Sequence, residues 1–448
     1  MKEKLSLNQN LLIGSLLFGL FFGAGNLIFP VKLGQLAGSN TLIATIGFLI
    51  TGVGLPMLGI IASALSKSEN LIEMAAPIGR KYAIFLTCLL YLTIGPLFSI
   101  PRTATVAFEV GISPFIGEEK LKIVLFIFSF IFFAITLYFS LRPGRIIDWI
   151  GKYLTPIFLV LLGVLLVTAF IVPMGSAKDF APQGVYETKP LISGILDGYN
   201  TMDALASLAF GVIIISNIKK LGIKTPKYIA KETIKSGVVS IVGMALIYSA
   251  LAYVGATSLG SVGEGSNGGI ILSLVSNHYF GIVGQVLLAG IVTSACIKTA
   301  IGLITACAEI FTEMFPSFLS YRNYAIVFTI FSFGVANFGL NKIIELSVPV
   351  LMFIYPLAIT LIILVLLGKF IDKNKQIYRW TTTLTLIAAI FDFLNSLPQG
   401  LKDNYLVEKA LSFASNYLPL FSYGFGWLVP ALIGFVIGLI AWKTSKSN

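Results

Sequence analysis

Three residues, Gly23, Gly25 and Asn26, stand inside the stretch "GLFFGAGNLIFP" at residues 19–30. The stretch lies in the first long apolar segment of the chain and otherwise reads as a membrane-spanning helix. Two glycines around an alanine, followed by an asparagine and Pro30, interrupt such a helix near its middle. An interruption exposes two half-helix ends. The N-terminal end offers free N–H groups and a positive dipole, which suit a carboxylate. The C-terminal end offers free carbonyls, which suit an ammonium group or a metal cation. A zwitterionic amino acid matches both poles without any charged side chain. Glycines in a span also permit close helix packing. Non-helical backbone in a membrane, however, is tolerated only where protein buries it or where it lines a wet cavity.

A second interruption strengthens the ligand reading. Residues 198–217 read "GYNTMDALASLAFGVIIISN", with the small residues Ala206, Ser207 and Gly211 near the centre of a sixth apolar segment. "LFFG" at 20–23 and "LAFG" at 208–211 share leucine, phenylalanine and glycine in register. Five spans per half is an odd number, so two such halves must cross the membrane in opposite senses. Broken helices at corresponding positions of inverted repeats are the sequence pointer to a transporter's binding site.

The elements that must position these residues follow from composition. Of 448 residues, 56% are hydrophobic and only 11% are charged, so most of the surface must face lipid. About 20 apolar residues cross a bilayer. Twelve segments qualify, near 9–37, 41–65, 82–107, 122–141, 146–172, 192–217, 234–259, 279–312, 323–338, 343–368, 380–399 and 419–441. The expected organisation is a first repeat over 1–172, an inverted second repeat over 173–370, and two peripheral helices with a tail over 371–448. The first apolar run is too long for a signal h-region and lacks a small-residue cleavage site, so it is expected to remain a span.

Basic residues test the map. With both termini in the cytoplasm, 21 of the 31 lysines and arginines fall in inside segments, eight fall outside, and Arg102 and Lys298 lie within spans. This bias sets the orientation. The net charge of +11 is therefore a topology signal, and the lysines from residue 219 to 235 read as a solvated cytoplasmic face near anionic lipid rather than a nucleic-acid site. One histidine and three cysteines inside apolar segments give no metal spacing, no disulfide framework and no triad. No Walker motif appears, so ATP is not the expected energy source. The chain reads as a secondary carrier and not as an enzyme or a channel.

Four stretches in order, "LFFGAGNLIFP", "YLTIGPLFSIPRTATVAFE" (91–109), "GYNTMDALASLAFG" and "TAIGLITACAEIF" (299–311), resemble the BrnQ family of bacterial branched-chain amino acid transporters driven by a cation gradient. The similarity runs from about residue 9 to the end. It implies an all-α membrane protein of the leucine-transporter (LeuT) type: twelve transmembrane helices, a 5+5 inverted repeat with broken first and sixth helices, and two peripheral helices. It also implies uptake of leucine, isoleucine and valine coupled to sodium or protons, with no other cofactor; carriage of another small neutral amino acid is the alternative. The oligomeric state is left open.

The same resemblance assigns residues. Gly19 and Phe22 would present carbonyls to a cation. Gly23, Ala24 and Gly25 would form the unwound substrate-binding backbone, with Asn26 offering its side-chain oxygen to a second cation or to the substrate amine. Ser207, Phe210 and Gly211 would face the substrate, Phe210 as an aliphatic-binding wall. In span eight the stretch "ACIKT" would complete a sodium site through Ala295 and Thr299, together with Gly19 and Phe22. Lys298, however, stands where the related fold has a second hydroxyl. A charge at mid-membrane is costly and is a functional candidate by default. One reading is that the Lys298 ammonium replaces the sodium; others are that it points elsewhere, pairs with an acid or snorkels along a wet path. A one-turn slip to Thr293 and Ser294 also stays open.

Other polar residues carry weaker expectations. Asp203 could relay a proton, pair with a lysine or end a helix near the outer interface. Pro96 and Pro101 imply kinks in span three, and Arg102 reads as structural at its outer end. Glu309 and Glu313 belong to the inner end of span eight. Ser347 and Pro349 mark an irregularity in span ten that could gate the outer path. Asp392 receives no role. The loop at 260–269 could join a lid, and residues 66–79 look amphipathic.

Overall fold

The computed structural model describes residues 3–66, 68, 70–142 and 155–447. Among them every regular element is helical. The chain opens with α1 (Leu7–Phe21), started by Ser6, whose hydroxyl accepts the Gln9 N–H while the Gln9 side chain accepts the Ser6 N–H. α1 stops at Phe22 and Gly23, both extended, and α2 (Ala24–Ala37) restarts at once. The expected interruption of the first span therefore lies at Phe22 and Gly23. Pro30 inside α2 removes the N–H that would meet the Asn26 carbonyl.

The second span is α3 (Thr41–Leu49) and α4 (Leu55–Ser66), joined by a single wide turn at Ile50–Gly54. Within the expected amphipathic stretch a short helix, α5 (Leu71–Ala75), is capped by Asn70. The third span is itself interrupted. α6 (Arg80–Leu92) ends in the wide turn Thr93–Leu97, where Gly95 leaves helical geometry ahead of Pro96, and α7 (Ser99–Gly111) resumes. A Cβ on Gly95 would fall 2.5 Å from the Cys307 sulfur, so that close approach requires glycine. Pro101 sits in the first turn of α7, where its missing N–H costs nothing. α8 (Leu121–Ser140) and α9 (Thr155–Ile171) follow; the start of the expected fifth span, up to residue 154, lies outside the described residues. Ile123, Phe126, Ile127 and Phe130 form an exposed stripe on α8, the surface expected against lipid.

The sixth span is broken, one turn earlier than its small residues suggest. α10 (Pro190–Tyr199) ends at residues 200–202, Met202 adopts a left-handed φ of 62°, and α11 (Asp203–Lys220) begins. Ala206, Ser207 and Gly211 lie inside α11. Ser207 and Gly211 serve packing there, whereas Ala206 faces the central cavity. A Cβ on Gly211 would fall 2.4 Å from the Ser63 Cβ, and one on Gly59 would fall 1.8 Å from the Ser207 hydroxyl. Lipid gives helices no hydrophobic drive to associate, so small residues let α4 and α11 approach closely.

The remaining helices are α12 (Pro226–Val262), α13 (Gly268–Met314, kinked at Gly281), α14 (Tyr321–Ala336), α15 (Leu340–Leu366), α16 (Lys375–Asn395), α17 (Tyr405–Tyr417) and α18 (Leu428–Ser447). α16 and α18 pack on each other, with Gly434 against Trp380 and Gly438 against Ile377. Among the described residues seven helical stretches are long and apolar enough to cross a membrane. The expected count of twelve is not matched one for one, and several of the described spans are short or interrupted. The loop at 263–265 is fastened to α2: Gln35 donates to the Gly263 carbonyl and accepts the Gly265 N–H, and Lys32 donates to the Gly265 carbonyl.

Candidate functional site

The two interruptions meet. Asn26, in the first turn of α2, accepts the Gly23 N–H on its side-chain oxygen at 3.0 Å, capping the helix it starts. Its amide donates to the Asp203 carboxylate at 2.6 Å and also to the Tyr248 hydroxyl of α12. Tyr248 in turn donates to Asp203 at 3.1 Å. Asp203 is the first residue of α11, so the positive end of that helix favours its negative charge. The side chains of Asn26 and Asp203 thus tie the break in span one to the break in span six. The Asn26 oxygen accepts a backbone N–H, which differs from the expectation that it points at a cation or an amine.

The carbonyls freed at the second break are satisfied by Thr201 within the break and by side chains from other spans. Tyr355 of α15 donates to the Tyr199 carbonyl at 2.9 Å, and Thr201 donates to that of Gly198 at 2.9 Å. Arg102 donates through Nη1 to the Asn200 carbonyl at 2.6 Å and through Nη2 to the Ser347 hydroxyl at 3.2 Å. Its guanidinium also lies 5.0 Å from the centre of the Phe29 ring. Buried backbone needs such partners. Arg102 is 2% exposed and belongs to the middle of the molecule, not to the outer end of span three as expected.

A cavity of about 170 Å³ opens at the junction. It is smaller than the roughly 300–1,000 Å³ of sites for drug-sized ligands, so it suits a small solute. Of the residues singled out from sequence, Gly19, Gly23, Ala24, Gly25, Asn26, Phe210, Lys298 and Thr299 line it. Asp203, Arg102, Met202 and Thr201 line it too, and Leu20, Ile94, Phe210 and Leu303 make much of the rest apolar. Phe22, Ser207, Gly211 and Ala295 are not among its walls. Phe22 stacks on Phe18 at 5.0 Å and on Tyr248 at 6.4 Å. Ser207 donates to the Ala204 carbonyl and packs, with Gly211, against α4. In this structure both make helix contacts and neither lines the cavity.

α13 closes the cavity beside α1. A Cβ on Gly19 would lie 3.7 Å from the Lys298 ammonium, and one on Gly23 would lie 3.5 Å from the Thr299 methyl. Among the described residues no cluster of three histidine, cysteine or acidic side chains could hold a metal. Sequence reasoning left two cavity residues, Arg102 and Asp203, and their partner Tyr248 without this placement. Arg102 and Asp203 did carry a signal, a charge inside an apolar span. Tyr248 carried none.

This arrangement recurs in known structures. The inward-facing conformation of Mhp1 superposes with a TM-score of 0.63 over 97% of this chain and 91% of that one, at 14% identity. A closed conformation of Mhp1, a nucleobase-cation-symport-1 family transporter with bromovinylhydantoin bound, gives 0.59 over 98% and 93%, at 16% identity. These likenesses define the class of fold, an all-helical bundle of the LeuT type with interrupted helices meeting over a cavity. Within that class, the chain belongs to the family described as branched-chain amino acid transport protein, matched over residues 6–445. The branched-chain amino acid permease BrnQ of Lactobacillus delbrueckii subsp. lactis is 50% identical, with 100% of both chains covered. The BrnQ permease of Bacillus subtilis is 41% identical over 98% of each chain. The branched-chain amino acid transport system 2 carrier protein of Pseudomonas aeruginosa is 39% identical over 96% of this chain and 95% of that one.

Proposed function

We propose that this protein imports leucine, isoleucine and valine across the cell membrane by alternating access, coupled to a sodium or proton gradient. Both termini lie in the cytoplasm, as the lysine and arginine bias requires. The observation that carries the reading is the meeting of two helix interruptions on one small cavity whose other walls are largely apolar. The α2 N-terminus receives the substrate carboxylate, and the wall of Leu20, Ile94, Phe210 and Leu303 receives the branched side chain. The relatives named as branched-chain amino acid permeases support the substrate class.

The sodium site implied by the resemblance falls where α1 and α13 approach. Lys298 reaches toward Gly19 there, beside Thr299, which supports its ammonium standing in for sodium. Coupling then runs on protons, or on a cation bound elsewhere. The test is isoleucine uptake into proteoliposomes with sodium and proton gradients imposed separately, and with all common amino acids as competitors. Saturable uptake driven by one gradient and blocked by leucine and valine is expected. Uptake blocked equally by alanine, serine or aromatic amino acids would replace the branched-chain reading with a broader neutral carrier.

A further inference from the structure

The central cavity holds a buried guanidinium with no anion beside it. Arg102 is 2% exposed, and its Nε has no hydrogen-bond partner. Among the described residues Arg102 makes no ion pair with a carboxylate. Its two other nitrogens donate to neutral oxygens, the Asn200 carbonyl and the Ser347 hydroxyl. A buried charge is tolerated when it is paired and fully hydrogen-bonded. Here the pairing is incomplete, and the guanidinium lines the cavity. Asp203 lines the same cavity but is held by Asn26 and Tyr248.

We infer that Arg102 is the anchor for the carboxylate of the transported amino acid. A Cβ on Gly25 would lie 3.6 Å from Arg102 Nη1, so the guanidinium and the N-terminal N–H groups of the fourteen-residue α2 converge on one corner. Oriented N–H groups and a guanidinium together make a stronger anion site than either alone. The carboxylate supplies the charge that Arg102 lacks. It also bears on the outer path. Arg102 holds the span-six break through Asn200, and span ten through Ser347. Phe29 and Asn200, both in contact with the Arg102 guanidinium, line a second cavity. An occupied guanidinium therefore couples carboxylate binding to residues of that second cavity.

The inference rests on the central cavity being an amino-acid site, and one experiment reads the two apart. Binding of a panel of free amino acids and their carboxamides is measured on the purified full chain in nanodiscs, for wild type, Arg102→Gln and Arg102→Lys. The rank order among the free acids tests the branched-chain reading. The acid-to-amide ratio of whichever member binds best tests Arg102. Wild type should prefer the acid by about 10- to 100-fold, the range of a charge-assisted hydrogen-bond pair. Arg102→Gln should collapse that preference to within about threefold, and Arg102→Lys, which keeps the charge without the fork, should leave an intermediate value. A wild type indifferent to amidation overturns the assignment, whether or not the variants fold. So does a ratio unchanged in a folded Arg102→Gln or Arg102→Lys, which would make the residue a latch between helices only. A panel with no binder overturns both readings.

Discussion

Asn26 donates its amide to the Asp203 carboxylate at 2.6 Å, across 177 residues of sequence. The bond joins the first residues of two helices that each begin at a break, so neither break can reshape without disturbing the other. Asn26→Ala should remove the cap on α2, worth about 1 kcal/mol, and one charge-assisted bond, worth about 1.5–3 kcal/mol. Isoleucine affinity is expected to fall by roughly 10- to 100-fold, read as the Kd of labelled isoleucine on purified protein. A Kd within twofold of wild type would show that the junction does not shape the site.

Phe210 provides a separate test of the apolar wall. It is 7% exposed and lines the cavity from α11. Phe210→Ala enlarges the space for the side chain of the solute. One methylene in such a pocket is worth about 1–3 kcal/mol, so isoleucine should weaken by at least about tenfold. Larger side chains such as phenylalanine should become better competitors in the same assay. An unchanged order of competitors would move the aliphatic subsite away from Phe210.

Gly211 and Phe210 are neighbours in sequence, yet they predict opposite behaviour. Gly211 faces Ser63, and its added methyl would have 2.4 Å of room. Gly211→Ala should overpack the α4–α11 contact and cost about 1–3 kcal/mol of stability, seen as a lower melting temperature in detergent. The isoleucine Kd of the folded fraction should stay close to wild type. A large loss of affinity with unchanged melting would return Gly211 to the substrate site.

These neighbours also show what sequence alone could and could not supply. The first break is legible because glycine, alanine, glycine, asparagine and proline cluster at one point of an apolar run, and few other roles need all of them. The position of the sixth break is not, because residues 200–202 contain no glycine and Met202 takes a left-handed conformation without one. The small residues that did stand out, Ser207 and Gly211, fit against Gly59 and Ser63 about 150 positions away. A packing glycine and a breaking glycine differ only in what lies opposite, which a local pattern does not contain. Arg102 was displaced for a related reason. The turn at Thr93–Leu97 interrupts span three, and α7 restarts so that Arg102 meets Asn200 and Ser347 in the interior. An uninterrupted helix would have carried it toward the outer surface.

Lys298 turns the coupling ion into a question about one side chain. Its ammonium approaches Gly19 at the point where α1 and α13 meet, beside Thr299. If that ammonium takes the place of a sodium ion, the wild type needs no sodium there. Uptake of isoleucine should then proceed in sodium-free proteoliposomes under an imposed proton gradient. Lys298→Ala would leave the α1–α13 junction without its positive charge, and proton-driven uptake should fall to background while the protein remains folded. Lys298→Arg keeps the charge but holds its proton far more tightly than a lysine does, so it should bind isoleucine without accumulating it. The opposite result is equally readable. Sodium-dependent uptake by wild type that disappears in Lys298→Ala would mean that the lysine works alongside a bound sodium ion, and the substitution argument would fall.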